Sequence, residues 1–243
     1  MNLKSVKKRF GFLAGTPLHP QWLAGSGRKN LIARLNAVGL GEIVLDIGCY
    51  DKWPKTHLNS NSKYIGLDYL KTAQDWYGTR PDVYADGSIL PVRDEAIDIV
   101  LLFDVCEHVA QTDRLFREIS RILKPGGRLL MQIPFLYPLH DEPRDYIRLT
   151  RHGLAKLARD YKMDIEVLTA IGHPCETAAL LSNLAISKII LNWLSNRSML
   201  GIFAVFLPFI ILKNNLLARS IGRVSRCDEF MPFAYQAVLR RII

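Results

Sequence analysis

Paired cysteines are missing from this sequence. Its four, Cys49, Cys106, Cys175 and Cys227, stand far apart, with no C-x-x-C among them. That argues against a disulfide framework or a zinc ribbon and fits a reducing, cytoplasmic setting. Low-complexity tracts and repeats of solenoid period are also missing, which excludes a disordered chain or a repeat array. Acids are scarcer than bases, 23 against 32, and the resulting charge of +9 points to an anionic partner: nucleic acid, a membrane surface or a phosphorylated substrate. Few apolar residues follow KSVKKRF before Thr16-Pro17, so a secretory signal is not expected. The apolar stretch SMLGIFAVFLPFIIL (198–212) is fifteen residues long. As a helix it would reach roughly 22 Å, short of a ~30 Å hydrocarbon core, and Pro208 would kink it. A full membrane span is not expected.

Glycine is sparse where it would matter most. VLDIGCYDKWP (44–54) has the β-branched run, the Asp and the Gly of a nucleotide-binding turn. A dinucleotide fingerprint needs three glycines there, and only Gly48 is present, with Tyr50 and Trp53 in the other two places.

At 243 residues, 49% of them hydrophobic, the chain can bury one ordinary core, with room for a sizeable insertion. Short apolar runs alternate with helical spacing from about residue 30 to 170. EIVLDIG (42–48), KYIGLDY (63–69), DVYADGS (82–88), AIDIVLLFDV (96–105), GRLLMQIPF (127–135) and DIEVLTA (164–170) read as strands. Helices are expected over 30–38, over 111–123 up to the stop at Lys124-Pro125-Gly126-Gly127, and over 150–161. This is a parallel α/β sandwich. The rhythm breaks at 174–229, an apolar helical insertion, and FMPFAYQAVLRR (230–241) reads as a returning edge strand. The expected division is a basic arm and helix over 1–40, a ligand-binding domain over 41–173 and 230–243, and the insertion between them.

Asp46, Asp68, Asp86 and Asp104 fall at successive strand ends, 22, 18 and 18 residues apart. Singly, Asp104 with Glu107 reads as a helix-capping pair and Asp86 before Gly87-Ser88 as a turn former. Together they line the carboxyl edge of a sheet, where open α/β folds bind ligands. Such an edge repels phosphate and suits a cation. Asp68 ends the second strand, the place from which a carboxylate accepts both hydroxyls of a ribose. A nucleoside without phosphate, with a positive centre and an amino-acid tail, needs one close backbone approach at Gly48. S-adenosylmethionine has that chemistry.

The same segments, VLDIGCYDKWP, YIGLDYL, VYADGSILPVRDEAIDIVLLFDVCEHV and LFREISRILKPGGRLLMQIPF, resemble the successive motifs of class I S-adenosylmethionine-dependent methyltransferases, most of all the type 11 group. The resemblance covers 42 to about 170. It implies a Rossmann-like seven-stranded sheet with an antiparallel final strand. It further implies a cofactor site of Asp46, Gly48, Cys49, Asp68, Tyr69, Asp86, Gly87 and Asp104, with Asp68 on the ribose and Asp86 near the adenine. Tyr50 departs from the family, which commonly has Gly there, and its side chain would crowd or cover the cofactor's tail.

PFLYPLHDEPRDYIRLT (134–150) follows the fifth strand and overhangs the same edge. It resembles a subgroup associated with saccharide and cell-envelope biosynthesis, as does GTPLHPQWLAG (15–25). Methyl transfer to a hydroxyl gains from a base of near-neutral pKa, so His140 is the first candidate, oriented by Asp145, with His108, Tyr146 and Arg148 toward the acceptor. The competing reading is a solvated loop in which Arg144 and Arg148 pair with Asp141 and Asp145. His57, His152 and His173 stand near no carboxylate pair at ligand spacing, and no metal is expected. The basic residues do not interleave along an aromatic face, and FDVCEH lacks the Asn/Asp-Pro-Pro-aromatic run of base-amino methylation, so nucleic acid is disfavoured. The basic arm 1–14 and the segment 198–219 suit peripheral contact with the inner face of a membrane, or a homodimer interface. The expected function is O-methylation of a saccharide or lipid-linked intermediate. The rivals are an inactive binding module and a nucleic-acid methyltransferase.

Overall fold

The computed structural model describes residues 13, 15–225 and 229–242. Most of the 1–14 arm, together with Arg226 and Cys227, lies outside the described residues. The chain divides into two compact units. One comprises residues 28–135, 139–170 and 234–243; the other takes in the residues up to 27, the short link 136–138 and residues 171–233. The helix expected within 1–40 therefore belongs with the sheet.

The sheet is built from β1 (Ile43–Ile47), β2 (Lys63–Asp68), β3 (Val83–Tyr84), β4 (Ile97–Phe103), β5 (Leu123–Pro134), β6 (Met163–Ile171) and β7 (Ala234–Arg241), in the order β3-β2-β1-β4-β5-β7-β6. β1 runs parallel to β2 and β4, β4 parallel to β5, and β7 antiparallel to β5. The order reverses at β1, between β2 and β4, and such a switch point opens a crevice at the strands' carboxyl ends. β1 and β4 are mostly apolar because both of their faces are covered.

Helix α1 (Arg28–Asn36) buries Leu31 and Leu35. Helix α2 (Thr112–Ile122) buries Leu115, Phe116, Ile119 and Ile122, one stripe at helical spacing, each fully removed from solvent. Each such side chain contributes roughly 1.5–3 kcal/mol by leaving water. Helix α3 (Arg151–Asp160) is capped by Thr150, whose Oγ1 accepts the Gly153 N–H at 3.0 Å.

Two expectations need correction. β7 is not an edge strand: it lies between β5 and β6 with six consecutive residues buried. Strand order depends on partners distant in sequence, which a local pattern does not carry. The third strand shrinks to Val83–Tyr84, because Asp86-Gly87-Ser88 forms a turn in which Asp86 Oδ1 accepts from the Ser88 N–H and hydroxyl, both at 2.8 Å.

The second unit is helical. α4 (Pro174–Ser195) and α5 (Leu207–Val224) are joined by the 3₁₀ stretch Met199–Phe206. His173 and Glu176 form a capping box at the start of α4, and Glu176 Oε1 also accepts from Arg219 at 2.8 Å. Arg219, expected to flank a membrane face, is thus committed within its own unit. Buried Asn183 donates to Asn215 and accepts from Asn214, both at 2.9 Å, and Asn215 donates to the carbonyls of Pro17 and His19. Every one of these amide contacts would be lost to an apolar replacement, so this network fixes the two helices and the 13–27 segment in one arrangement. In that segment Trp22 is partly buried, and Leu23 fills the interior. By length and composition, two helical stretches, Pro174–Ser195 and Met199–Val224, are long and apolar enough to cross a membrane. The uncharged run weighed alone in the sequence is thus part of a 26-residue helical stretch.

Candidate functional site

At the switch point the carboxyl ends of β1, β2 and β4 border a cavity of about 500 Å³, within the 300–1,000 Å³ usual for small-ligand sites. Its apolar walls include Ile47, Leu67, Phe103 and Val105, and Asp68, Asp86 and Asp104 open into it.

Gly48 ends β1 with φ +73°, and a Cβ built there would meet Val105 Cγ2 at 2.3 Å. Its N–H donates to the Leu67 carbonyl at 2.8 Å. The glycine is therefore demanded by the turn and by Val105, where the sequence argument invoked ligand approach. Tyr50 also adopts a left-handed conformation, φ +45°, the kind of backbone for which glycine is the usual residue. Its N–H donates to Asp68 Oδ2 at 3.1 Å, and its ring packs edge-on against Tyr77 at 4.7 Å, forming wall instead of plug.

Asp68 is 4% exposed. Its Oδ1 accepts the Tyr69 N–H at 2.7 Å and its Oδ2 the Tyr50 N–H. Each oxygen keeps a lone pair for the cavity. Burial raises the Asp68 carboxyl and these two backbone donors lower it. Asp104, held at φ +55°, accepts from Gln132 Nε2 at 2.7 Å, and Gln132 in turn accepts from Gln236 of β7 at 2.7 Å. Asp104 is open to solvent through the cavity; the enclosing walls first, and then Glu107 beside it, push its carboxyl above the usual carboxylate range.

Two of the cofactor candidates do not reach the cavity wall. Asp46, 2% exposed, accepts the Tyr64 hydroxyl at 2.6 Å on the far side of β1, and the Cys49 thiol lies against Gly66 of β2. Burial first, and then Asp68 nearby, push the Asp46 carboxyl to about 7 despite the Tyr64 bond. The unfolded value is near 3.9. The ionised form is therefore the one penalised by folding, so the contribution of this carboxyl to stability is greatest below about pH 4, declines between about pH 4 and 7, and stays low above. Asp46→Asn keeps an acceptor for Tyr64 and removes the charge. The variant is expected to match the wild type at pH 4 and to exceed it at pH 8 by up to about 4 kcal/mol. Urea midpoints at both pH values check this, and an equal difference at both would contradict it.

The loop after β5 brings a second group to the cavity: His140, Asp141, Arg144 and Tyr146. Tyr77 donates to Asp141 Oδ2 at 3.1 Å, and the Arg144 guanidinium lies 4.9 Å over the Tyr69 ring and 5.6 Å from that of Trp76. Asp145 lies behind this wall, its side chain 1% exposed. Arg148 grips it through both nitrogens, one at 2.7 Å, and the His140 N–H donates to it at 2.9 Å. Arg148 before all else holds the Asp145 carboxyl down at about 2. Arg148 is absent from the cavity wall, a correction to its expected substrate contact: an i,i+3 partner claims it. The solvated-loop reading is thus half right, for Asp145 and Arg148 do pair, but in a largely enclosed position.

Glu107, which the sequence offers only as a helix-capping partner of Asp104, makes no such cap. It is fully buried, neither carboxylate oxygen has a hydrogen-bond partner among the described residues, and its Oε1 lies 3.7 Å from Nε2 of both His108 and His140. The two imidazoles meet at 4.8 Å, edge to face. The only linear signal was the adjacency of Glu107 and His108.

Residues 45–131 match the family model of a methyltransferase domain. An uncharacterized methyltransferase of Mycobacterium leprae is 30% identical over 110 residues, 38% of this chain and 37% of that protein. The chain spans well under half the length of the curated relatives it matches. Among solved structures, an S-adenosylmethionine-dependent methyltransferase from Mesorhizobium loti aligns over 92% of this chain and 98% of its own, at 16% identity and a TM-score of 0.53. The [4+2]-cyclase SpnF aligns over 89% and 80%, at 16% identity and a TM-score of 0.54. These two likenesses concern the fold alone.

Proposed function

Given that residues 45–131 match a methyltransferase domain, we propose that the chain is a class I, S-adenosylmethionine-dependent methyltransferase that binds its cofactor in this cavity and methylates an oxygen of a saccharide or lipid-linked intermediate. The observation that carries this reading is Asp68, a buried carboxylate with lone pairs toward an acid-rimmed cavity of suitable size. Asp68 is assigned to the ribose hydroxyls, Gly48 and Tyr69 to the cofactor's flank, Asp86 and Gly87 to the adenine end, and Asp104 to the floor. Asp46 and Cys49 support the turn from behind. When bound, the cofactor supplies an electrophilic methyl group on a sulfonium, whose charge the acids favour.

On the other wall His140, His108 and Tyr146 take the acceptor, Asp145 orients His140, and Arg148 acts through Asp145. Positioning supplies much of the rate in such a displacement, and the imidazoles assist loss of the acceptor's proton.

Membrane contact is the second part of the proposal. Met199, Ile202, Val205, Phe206 and Phe209 are all more than half exposed along the 3₁₀ stretch and the start of α5. This is the composition of a surface that lies in a bilayer interface. Methyl-labelled S-adenosylmethionine offered with saccharides, lipid-linked saccharides in anionic vesicles, and RNA tests both parts. Label on a saccharide hydroxyl and co-sedimentation with vesicles are expected. Label on RNA, or on nothing, would overturn the acceptor. Protein left in the supernatant as a dimer would assign the apolar face to a second copy.

A further inference from the structure

We propose that Glu107, His108 and His140 hold a divalent first-row cation that binds the acceptor's oxygens. This deepens the methyl-transfer reading and, for its function, rests on it.

One nitrogen or oxygen from each of the three residues lies within 4.8 Å of the others. A cation at the ~2.0–2.2 Å bond lengths of imidazole and carboxylate ligands sets neighbouring donors ~3–3.5 Å apart. The two 3.7 Å separations from Glu107 Oε1 to the imidazole Nε2 atoms need only slight contraction to reach that.

The independent observation is Glu107 itself. A fully buried carboxylate with both oxygens lacking a hydrogen bond is a costly arrangement, and it points at two imidazoles. A cation among the three relieves it. The outer contacts also suit metal ligation. His108 Nδ1 meets the Arg144 carbonyl. A carbonyl only accepts, so Nδ1 carries the hydrogen and Nε2 presents its lone pair toward Glu107. His140 Nδ1 is 3.3 Å from Asp145 Oδ2 and 3.5 Å from an Arg148 nitrogen. Metal ligation through Nε2 requires Nδ1 to donate to that carboxylate, the nearer of the two groups. A histidine that offers one nitrogen to a metal and donates the other to a carboxylate or carbonyl is the usual outer shell of such sites.

Two imidazoles and one carboxylate suit manganese, iron, cobalt or zinc more than calcium or magnesium. Three protein ligands leave coordination positions open toward the cavity that His108 and His140 line. An acceptor with a hydroxyl, or with vicinal hydroxyls, fills those positions, is held in place, and loses its proton to water more readily for being bound. Glu107 and His108 are adjacent in sequence, but His140 arrives from the loop after β5, so the linear search for ligand spacing that led to the expectation of no metal had no pattern to find.

Titration of metal-stripped protein with Co²⁺, read by visible d–d absorption, tests the site without activity. One Co²⁺ per chain is expected, displaced by Mn²⁺ or Zn²⁺. Glu107→Gln should weaken binding by more than about 100-fold, beyond the 10–100-fold cost of losing an outer partner. His140→Asn is measured alongside it, in case the first variant does not fold. No Co²⁺ signal in the wild type, or wild-type affinity in both variants, would overturn the proposal. S-adenosylmethionine binding by the stripped protein is measured in parallel and is expected to be retained. Its loss would count against the cofactor reading, whereas Co²⁺ uptake addresses the cation site alone.

Discussion

Replacing Gly48 with alanine is expected to lower stability by about 2–5 kcal/mol, the sum of a left-handed backbone forced on an L-residue and a clash in a packed core. Gly48 sits at φ +73°, and the added methyl would lie 2.3 Å from Val105 Cγ2. Neither cost is easily relieved. The Gly48 N–H is tied to the Leu67 carbonyl, so the turn cannot relax without breaking the link between β1 and β2. For a chain of this size each kcal/mol moves the melting temperature by about 2–4 °C. Gly25→Ala is the control: a Cβ there meets nothing within 4 Å. A Gly48→Ala melting temperature equal to that of Gly25→Ala would show that the turn tolerates a side chain.

His140→Ala is expected to lower turnover by about 10²–10⁴-fold, the range for loss of a group that handles the acceptor's proton. Cofactor affinity should change little, since the His140 side chain meets Asp145, Glu107 and His108. The surrounding loop should survive, because Asp145 keeps its paired contact with Arg148. The split between turnover and affinity separates this role from a structural one. Equal losses in both, or neither, would contradict it.

The strands were legible because a sheet covered on both faces demands strands rich in apolar residues, as β1 and β4 are. The rim of acids was legible because each βα unit repeats the strand end, and Asp68, Asp86 and Asp104 do share one cavity. Asp46 falls outside the cavity for a geometric reason: successive strand residues face opposite sides, and one position decides which. Pairings that cross the sequence were not legible. They include β7 between β5 and β6, Gln236 passing a hydrogen bond through Gln132 to Asp104, and His140 meeting Glu107. Arg148 was misassigned because a basic residue in a loop looks alike whether it faces substrate or its own i,i+3 partner.

The most direct test of the cofactor assignment is calorimetric titration of S-adenosylmethionine into the wild type and into Asp68→Ala. The wild type is expected to bind one equivalent per chain. Asp68→Ala should bind about 10–100-fold more weakly, reflecting ~1.5–3 kcal/mol for lost hydrogen bonds to a charged group. No heat at millimolar ligand in the wild type, or an affinity untouched by the substitution, would contradict it.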